Sequence, residues 1–279
     1  MTRLRSVDIA TICTNLDAYD GELRKKTDRT LRGIACHAAG LNEEAVADTL
    51  SRSVTAVVPI TWGQGMIEGF CETTESILNH IGCKSFVTGN TDVRGLAEAY
   101  GKGADVIFMA DDEQFVALNS RTRQVVDNTA ATGAGFAAGL SLMVGGLRGR
   151  KVLVLGCGPV GCSATSKLMN YGATVTVHDI NPRCSQELVK ALGSASGGEM
   201  TVENNFRRAL ARHTLVVDAT NTAEIIHASD ISSETYIAAP GMPLGLSRNA
   251  LKKISDRLLH DPLQIGVATM AVEVLKKAD

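Results

Sequence analysis

Gly156-Cys157-Gly158-Pro159-Val160-Gly161 is a GxGxxG that follows the apolar run Val152–Leu155 and opens a helical pattern over Pro159–Asn170. A second strand pattern, Ala173–His178, ends on Asp179. Three glycines at this spacing are weak evidence alone, but strand, turn, helix, strand and acid in register are the fingerprint of a dinucleotide fold. Gly156 suits the tight turn, Gly158 lets backbone approach a pyrophosphate, and Gly161 lets the helix pack close to the sheet. Pro159 fits the first helical turn, where its missing N–H costs nothing. The N–H groups at Val160 and Gly161 then face the phosphates.

Asp179 is placed to accept hydrogen bonds from both adenosine ribose hydroxyls and to repel a 2′-phosphate. NAD is therefore the expected cofactor rather than NADP, although Arg183 lies four residues on. An S-adenosylmethionine site shares part of this logic, and an unliganded glycine turn is the plain alternative. Two later strand ends favour a dinucleotide. Thr220 and Asn221 follow Leu215–Ala219 and would border the adenine-side ribose; Pro240 and Gly241 follow Tyr236–Ala239 and would hold the nicotinamide half.

The alternation also runs upstream. Thr55–Ile60, Lys84–Thr88 and Ala104–Ala110 read as strands, with helices at Ile67–His80 and Val93–Tyr100. Helices are expected before them at Ser6–Asp17, Thr30–Ala39 and Glu43–Leu50. The fold class is α/β: an N-terminal α/β substrate domain with preceding helices, then a C-terminal Rossmann domain with a doubly wound parallel sheet. The glycines and basic residues of Gly145–Lys151 mark the junction, giving domains 1–147 and 148–279. The last helix, about Val267–Lys277, is expected to pack back on the first domain, by analogy with two-domain dehydrogenases.

A net charge of −2 gives no reason to expect nucleic acid or an anionic membrane as partner. The run Ala130–Leu147 is rich in Ala and Gly and reads as a buried helix rather than a span. No signal peptide is evident. Seven scattered cysteines without a CxxC pair point to reduced thiols and a cytoplasmic setting. No cysteines or histidines stand at metal-ligand spacing, so no metal is expected. A homo-oligomer is compatible with these features.

Three loops of the first domain carry polar groups after apolar runs. They are Pro59–Gly65, Asp111-Asp112 after Val106–Met109, and Asp127–Gly133. An acid emerging from a buried strand end is a candidate general acid/base, so Asp111 is expected to be poorly solvated and catalytic, with Asp112 capping the next turn. Capping is the alternative for either acid. The groups of Asp127–Gly133 would face a cleft between domains, with a helix cap as the equal alternative.

The DNTAATG segment before a linking helix is similar to shikimate and methylene-tetrahydrofolate dehydrogenases. Ala130 stands where the shikimate family has an aspartate, and that family's lysine motif is missing. Over nearly its whole length the chain resembles the pyrrolysine synthase family. The shared stretches are VPITWGQGMIEGF, ESILNHIGCKSFVT, NTDVRG, GADVIFMADD, DNTAATG, the glycine turn with Asp179, APGMP and PLQIGVATM. Trp62 and Gln64 depart from that family's small residues in the first loop.

The resemblance implies NAD-dependent oxidation of the terminal amine carbon of L-lysine-Nε-3R-methyl-D-ornithine, with ammonia release and closure of a pyrroline ring. It implies Asp111 as acid/base beside the reacting amine. Leu4 and Asn128, with Thr61 and Gly65, would bind substrate. A dehydrogenase of another amine or amino acid, and a non-catalytic NAD-sensing protein, are the alternatives. Neither a helix-turn-helix nor a basic patch favours the latter.

Overall fold

Local capping fixes the opening helices of the computed structural model, which describes residues 4–193 and 199–276. The helix expected over Ser6–Asp17 is two, α1 (Ser6–Ile9) and α2 (Ile12–Thr27), parted by a turn at Ala10-Thr11. Arg24, Lys25 and Lys26 fill the last turn of α2, where cations suit the helix dipole. In α3 (Leu31–Ala39), Thr30 accepts from the Gly33 N–H at 3.1 Å and Gly40 ends the helix at φ 69°. Asn42 caps α4 (Glu43–Arg52) through the Glu44 and Ala45 N–H groups.

The first sheet follows. β1 (Val54–Val58), α5 (Phe70–His80), β2 (Lys84–Val87), α6 (Asp92–Gly101) and β3 (Val106–Ala110) form the expected parallel alternation. The α5 helix begins at Phe70 rather than Ile67 because Gly69 is left-handed, at φ 77°. Two strands, β4 (Phe115–Asn119) and β5 (Val125–Asp127), were not expected. They pair antiparallel beyond β3, so the sheet is mixed, in the order β2-β1-β3-β4-β5. Next comes α7 (Asn128–Met143), which is built largely from Ala and Gly.

The second sheet is wholly parallel. Its elements are β6 (Lys151–Leu155), α8 (Pro159–Asn170), β7 (Thr174–His178), α9 (Pro182–Gly193), β8 (Met200–Val202), α10 (Phe206–Arg212), β9 (Leu215–Asp218), β10 (Tyr236–Ala238), α11 (Arg248–Ile254) and β11 (Leu258–Leu259). The order β11-β10-β9-β6-β7-β8 is doubly wound, with the direction of winding reversing between β6 and β9. Leu153, Leu155, Val216 and Ile237 pack against α10 and α11 residues on one face. Each such buried Val, Leu or Ile stabilises the fold by ~1.5–3 kcal/mol relative to exposure. The final helix, α12 (Gln264–Val274), is buried on nearly every side; Lys277 lies outside the described residues.

Contacts divide the chain into two units. One takes the described residues of Met1–Leu23, Thr30–Ala131 and Leu263–Asp279; the other takes Arg24–Arg29 and Thr132–Pro262. The division falls at Ala131/Thr132, upstream of the 147/148 boundary drawn from composition. The cause is the small-residue face of α7. A Cβ on Gly133 would sit 2.4 Å from the Val160 carbonyl oxygen, and one on Gly139 would sit 2.2 Å from Leu259. Most of α7 thus packs into the second unit. In the first, α12 packs on α3 and α5 and reaches β4 and β5. No helix among the described residues is long and apolar enough to cross a membrane.

Candidate functional site

The carboxyl ends of the second sheet hold the glycine turn. Gly156 has φ +86°, and a Cβ there would lie 2.8 Å from the Ala219 carbonyl oxygen. A Cβ on Gly161 would lie 1.9 Å from the Gly156 carbonyl oxygen, so the turn and α8 close on each other only as glycines. Gly158 is different. Its φ of −73° is open to any residue, and a Cβ there would meet nothing within 4 Å. The fold itself makes no demand for glycine at 158, whereas a phosphate approaching the backbone would.

Gly158 caps α8 without a side-chain bond and Pro159 occupies its first turn, so early N–H groups of the helix face outward. Asp179 accepts from the Cys157 N–H at 2.7 Å and from the Asn181 N–H at 2.8 Å. It is partly exposed, so its remaining lone pairs can meet a diol. These residues fit the phosphates and adenosine ribose of a dinucleotide. Asp179 also ties the glycine turn to β7, a duty not foreseen from sequence. Across β6 lie the ends of β9 and β10, where the Thr220 hydroxyl donates to Asp218 Oδ1 at 2.7 Å. A Cβ on Gly241 would lie 2.0 Å from the Thr220 carbonyl oxygen, so the loops carrying Thr220-Asn221 and Pro240-Gly241 touch.

In the first unit, two aspartates grip the loop after β1. Asp92 accepts from Thr61 through both oxygens, from N–H at 2.8 Å and from Oγ1 at 2.7 Å. It adopts φ 52°, unusual for a residue with a side chain. These hydrogen bonds hold its carboxyl below the usual range. Asp112 accepts from the Gln64 N–H at 2.6 Å, and Gly63 leaves room for it: a Cβ would lie 2.1 Å from Asp112 Oδ2. The gripped loop presents Trp62, 62 % exposed, and Gly65 at φ +83°. Farther along it, Met66, Ile67 and Glu68 join Leu4, Arg5 and Ser6 around an open cavity of about 360 Å³.

The expected roles of Asp111 and Asp112 are altered. Asp111 is exposed, not poorly solvated, because β3 ends at Ala110 and the chain turns outward there. Its Oδ1 accepts from the Glu113 and Gln114 N–H groups, both at 2.8 Å, so Asp111 caps the turn into β4. Asp112, expected to be the cap, holds the loop instead. Asp127 caps α7, accepting from the Thr129 N–H at 2.8 Å and from the Thr129 hydroxyl. Asn128 is half-buried and its side-chain amide donates to Met270 Sδ at 3.3 Å. The structure therefore brings Leu4 to the Met66–Glu68 part of the loop and Thr61 to Asp92. Asn128 meets α12. Sequence reasoning missed Asp92 and Asp112 as loop anchors, and Asp218 altogether; the only local sign of Asp218 was an acid ending the apolar run Leu215–Val217. No cluster of metal-ligating side chains occurs among the described residues.

Residues 8–126 match the family model "Pyrrolysine biosynthesis protein PylD, N-terminal domain", and residues 126–232 match "Alanine dehydrogenase/PNT, C-terminal domain". The chain is 30% identical over 275 residues to the pyrrolysine synthase of Methanosarcina acetivorans, covering 99% of this chain and 100% of that one. It is 28% identical to the pyrrolysine synthase of Methanosarcina barkeri, covering 99% and 98%. Among solved structures, quinate dehydrogenase from Corynebacterium glutamicum in complex with NAD shares the fold, with a TM-score of 0.55 at 15% identity over 80% of this chain and 93% of that one.

Proposed function

The chain belongs to the pyrrolysine synthase family, and on that premise we propose that it oxidises the terminal amine carbon of L-lysine-Nε-3R-methyl-D-ornithine. It is an NAD-dependent oxidoreductase of pyrrolysine biosynthesis. The observation that carries the proposal is similarity running the length of both chains, through both units rather than the dinucleotide half alone. NAD, when bound, accepts hydride from the carbon bearing the amine. That leaves an imine on the substrate, which water converts to an aldehyde with loss of ammonia. The ornithine α-amine then condenses with the aldehyde, losing water and closing the five-membered ring.

The chain's own residues supply position and proton handling. Gly158 and the first turn of α8 take the pyrophosphate, and Asp179 takes the adenosine ribose. Two turn N–H groups fix Asp111 Oδ1, and Oδ2 has no partner among the described residues. Oδ2 is thus the atom available to attract the substrate ammonium, take its proton before hydride leaves, and return one to departing ammonia. Leu4, Thr61, Gly65 and Asn128 are proposed to line the substrate site, with Asp92 and Asp112 holding the loop that carries two of them.

Incubation with the dipeptide and NAD is expected to give one ammonia per NADH and, by mass spectrometry, a product smaller by one ammonia and two hydrogens. NADH formed without ammonia would favour alcohol oxidation and sink the proposal. The cofactor preference is tested separately. Asp179→Ala is expected to weaken NAD and narrow its advantage over NADP, because the ribose acceptor and the anchor on the Cys157 N–H are lost together. A wild type that turns over NADP as readily as NAD would contradict this role for Asp179.

A further inference from the structure

All four residues of β9 are buried, and the last of them is an acid with no exposed surface, Asp218. A carboxyl group in such a place is strongly disfavoured unless its surroundings satisfy it or keep it neutral. Burial pushes its carboxyl up, against the opposing pull of the hydrogen bonds from Thr220. Its contacts tie together both loops at this end of the sheet. Oδ1 accepts from the Thr220 N–H at 3.2 Å and from the Thr220 hydroxyl at 2.7 Å. Its backbone carbonyl accepts from the Gly241 N–H at 3.1 Å. Oδ2 accepts no well-formed hydrogen bond and lies against Gly245, where a Cβ would be 2.0 Å away.

Strand order gives this acid its functional meaning. Asp179 follows β7 and the glycine turn follows β6, while β9 and then β10 lie on the opposite side of β6. A dinucleotide with its adenosine ribose at Asp179 and its pyrophosphate on the glycine turn has its remaining half at the β9 and β10 loops. We propose that Asp218 is a positioning residue that holds the Thr220-Asn221 and Pro240-Gly241 loops in the shape that receives the nicotinamide half of NAD. The inference rests on the NAD reading of this unit. It gives a buried acid outside the chemistry a defined task, preorganising two loops that otherwise meet only through backbone contact.

Calorimetric titration of NAD and of ADP-ribose, which lacks nicotinamide, separates this task from general support of the fold. Asp218→Ala is expected to weaken NAD by about tenfold, the effect of losing one buried hydrogen-bonding anchor, and ADP-ribose by less than about threefold. Asp218→Asn keeps an acceptor for Thr220 and the neutral state of the buried group, so it is expected to restore NAD affinity to within about threefold of wild type. Unchanged NAD affinity in Asp218→Ala would overturn the proposal. So would equal losses of both ligands, or an Asn variant no better than Ala. A wild type that binds neither ligand would overturn the NAD reading and the inference with it.

Discussion

Replacing Asp111 by asparagine is expected to lower turnover by ~100- to 10,000-fold, the usual contribution of a general acid/base. The substitution is conservative where it needs to be. An asparagine oxygen can still accept from the Glu113 and Gln114 N–H groups, so the turn into β4 is retained. What disappears is the charge and basicity of Oδ2. Oxidation of an amine requires its neutral form, so a base must lie beside the ammonium. NAD affinity is expected to be nearly unchanged, since the glycine turn and Asp179 belong to the other unit. Asp112→Asn serves as the comparison, because Asp112 grips Gln64 and acts on the loop. Steady-state kinetics of the two variants decide the assignment: near-normal turnover in Asp111→Asn with none in Asp112→Asn would exchange their roles.

Gly158→Val is expected to abolish measurable NAD binding, a loss on the order of 100-fold or more, without unfolding the protein. Valine is acceptable to the backbone at φ −73°, and its Cβ would meet no protein atom within 4 Å. The space it fills is the approach to the first turn of α8. Gly161→Ala is the contrasting case. Its methyl would be forced to 1.9 Å from the Gly156 carbonyl oxygen, so the melting temperature should fall along with binding. Thermal melts beside NAD titrations read the difference. Normal NAD affinity in a folded Gly158→Val variant would remove the phosphate site from this turn.

Much of the second unit was legible because its signals are local. Val152–Leu155 is a strand in any context, and a glycine turn between it and a helix leaves few alternatives. Short β8, three residues long and only partly buried, carries no such signal. The antiparallel pair β4–β5 was harder still. Phe115, Ala117 and Asn119 do alternate with less buried neighbours, but a buried asparagine at the strand's end reads as a turn until its partner is known. That partner is the Val274 carbonyl, far along the chain, to which the Asn119 amide donates at 2.9 Å. The site shows the same limit. The residue types at Asp111, Asp179 and the glycines announce chemistry, whereas Asp92, Asp112 and Asp218 act by gripping segments brought near only by the fold. Asp111 and Asp112 were assigned capping and exposure the wrong way round because neighbouring acids on a turn differ in direction, which composition does not encode.

The place of α12 has a consequence for synthesis on the ribosome. The second unit is nearly continuous in sequence, and Thr132–Pro262 leaves the exit tunnel before Leu263 does. The first unit begins earlier yet lacks its central helix until the end: Ile265, Val267, Met270 and Val274 are buried against segments translated long before them. An exposed apolar cavity therefore persists in the nascent first unit while the second unit completes its sheet. Translation order and completion order run in opposite directions, a sequence of events that limited proteolysis of stalled nascent chains reads directly.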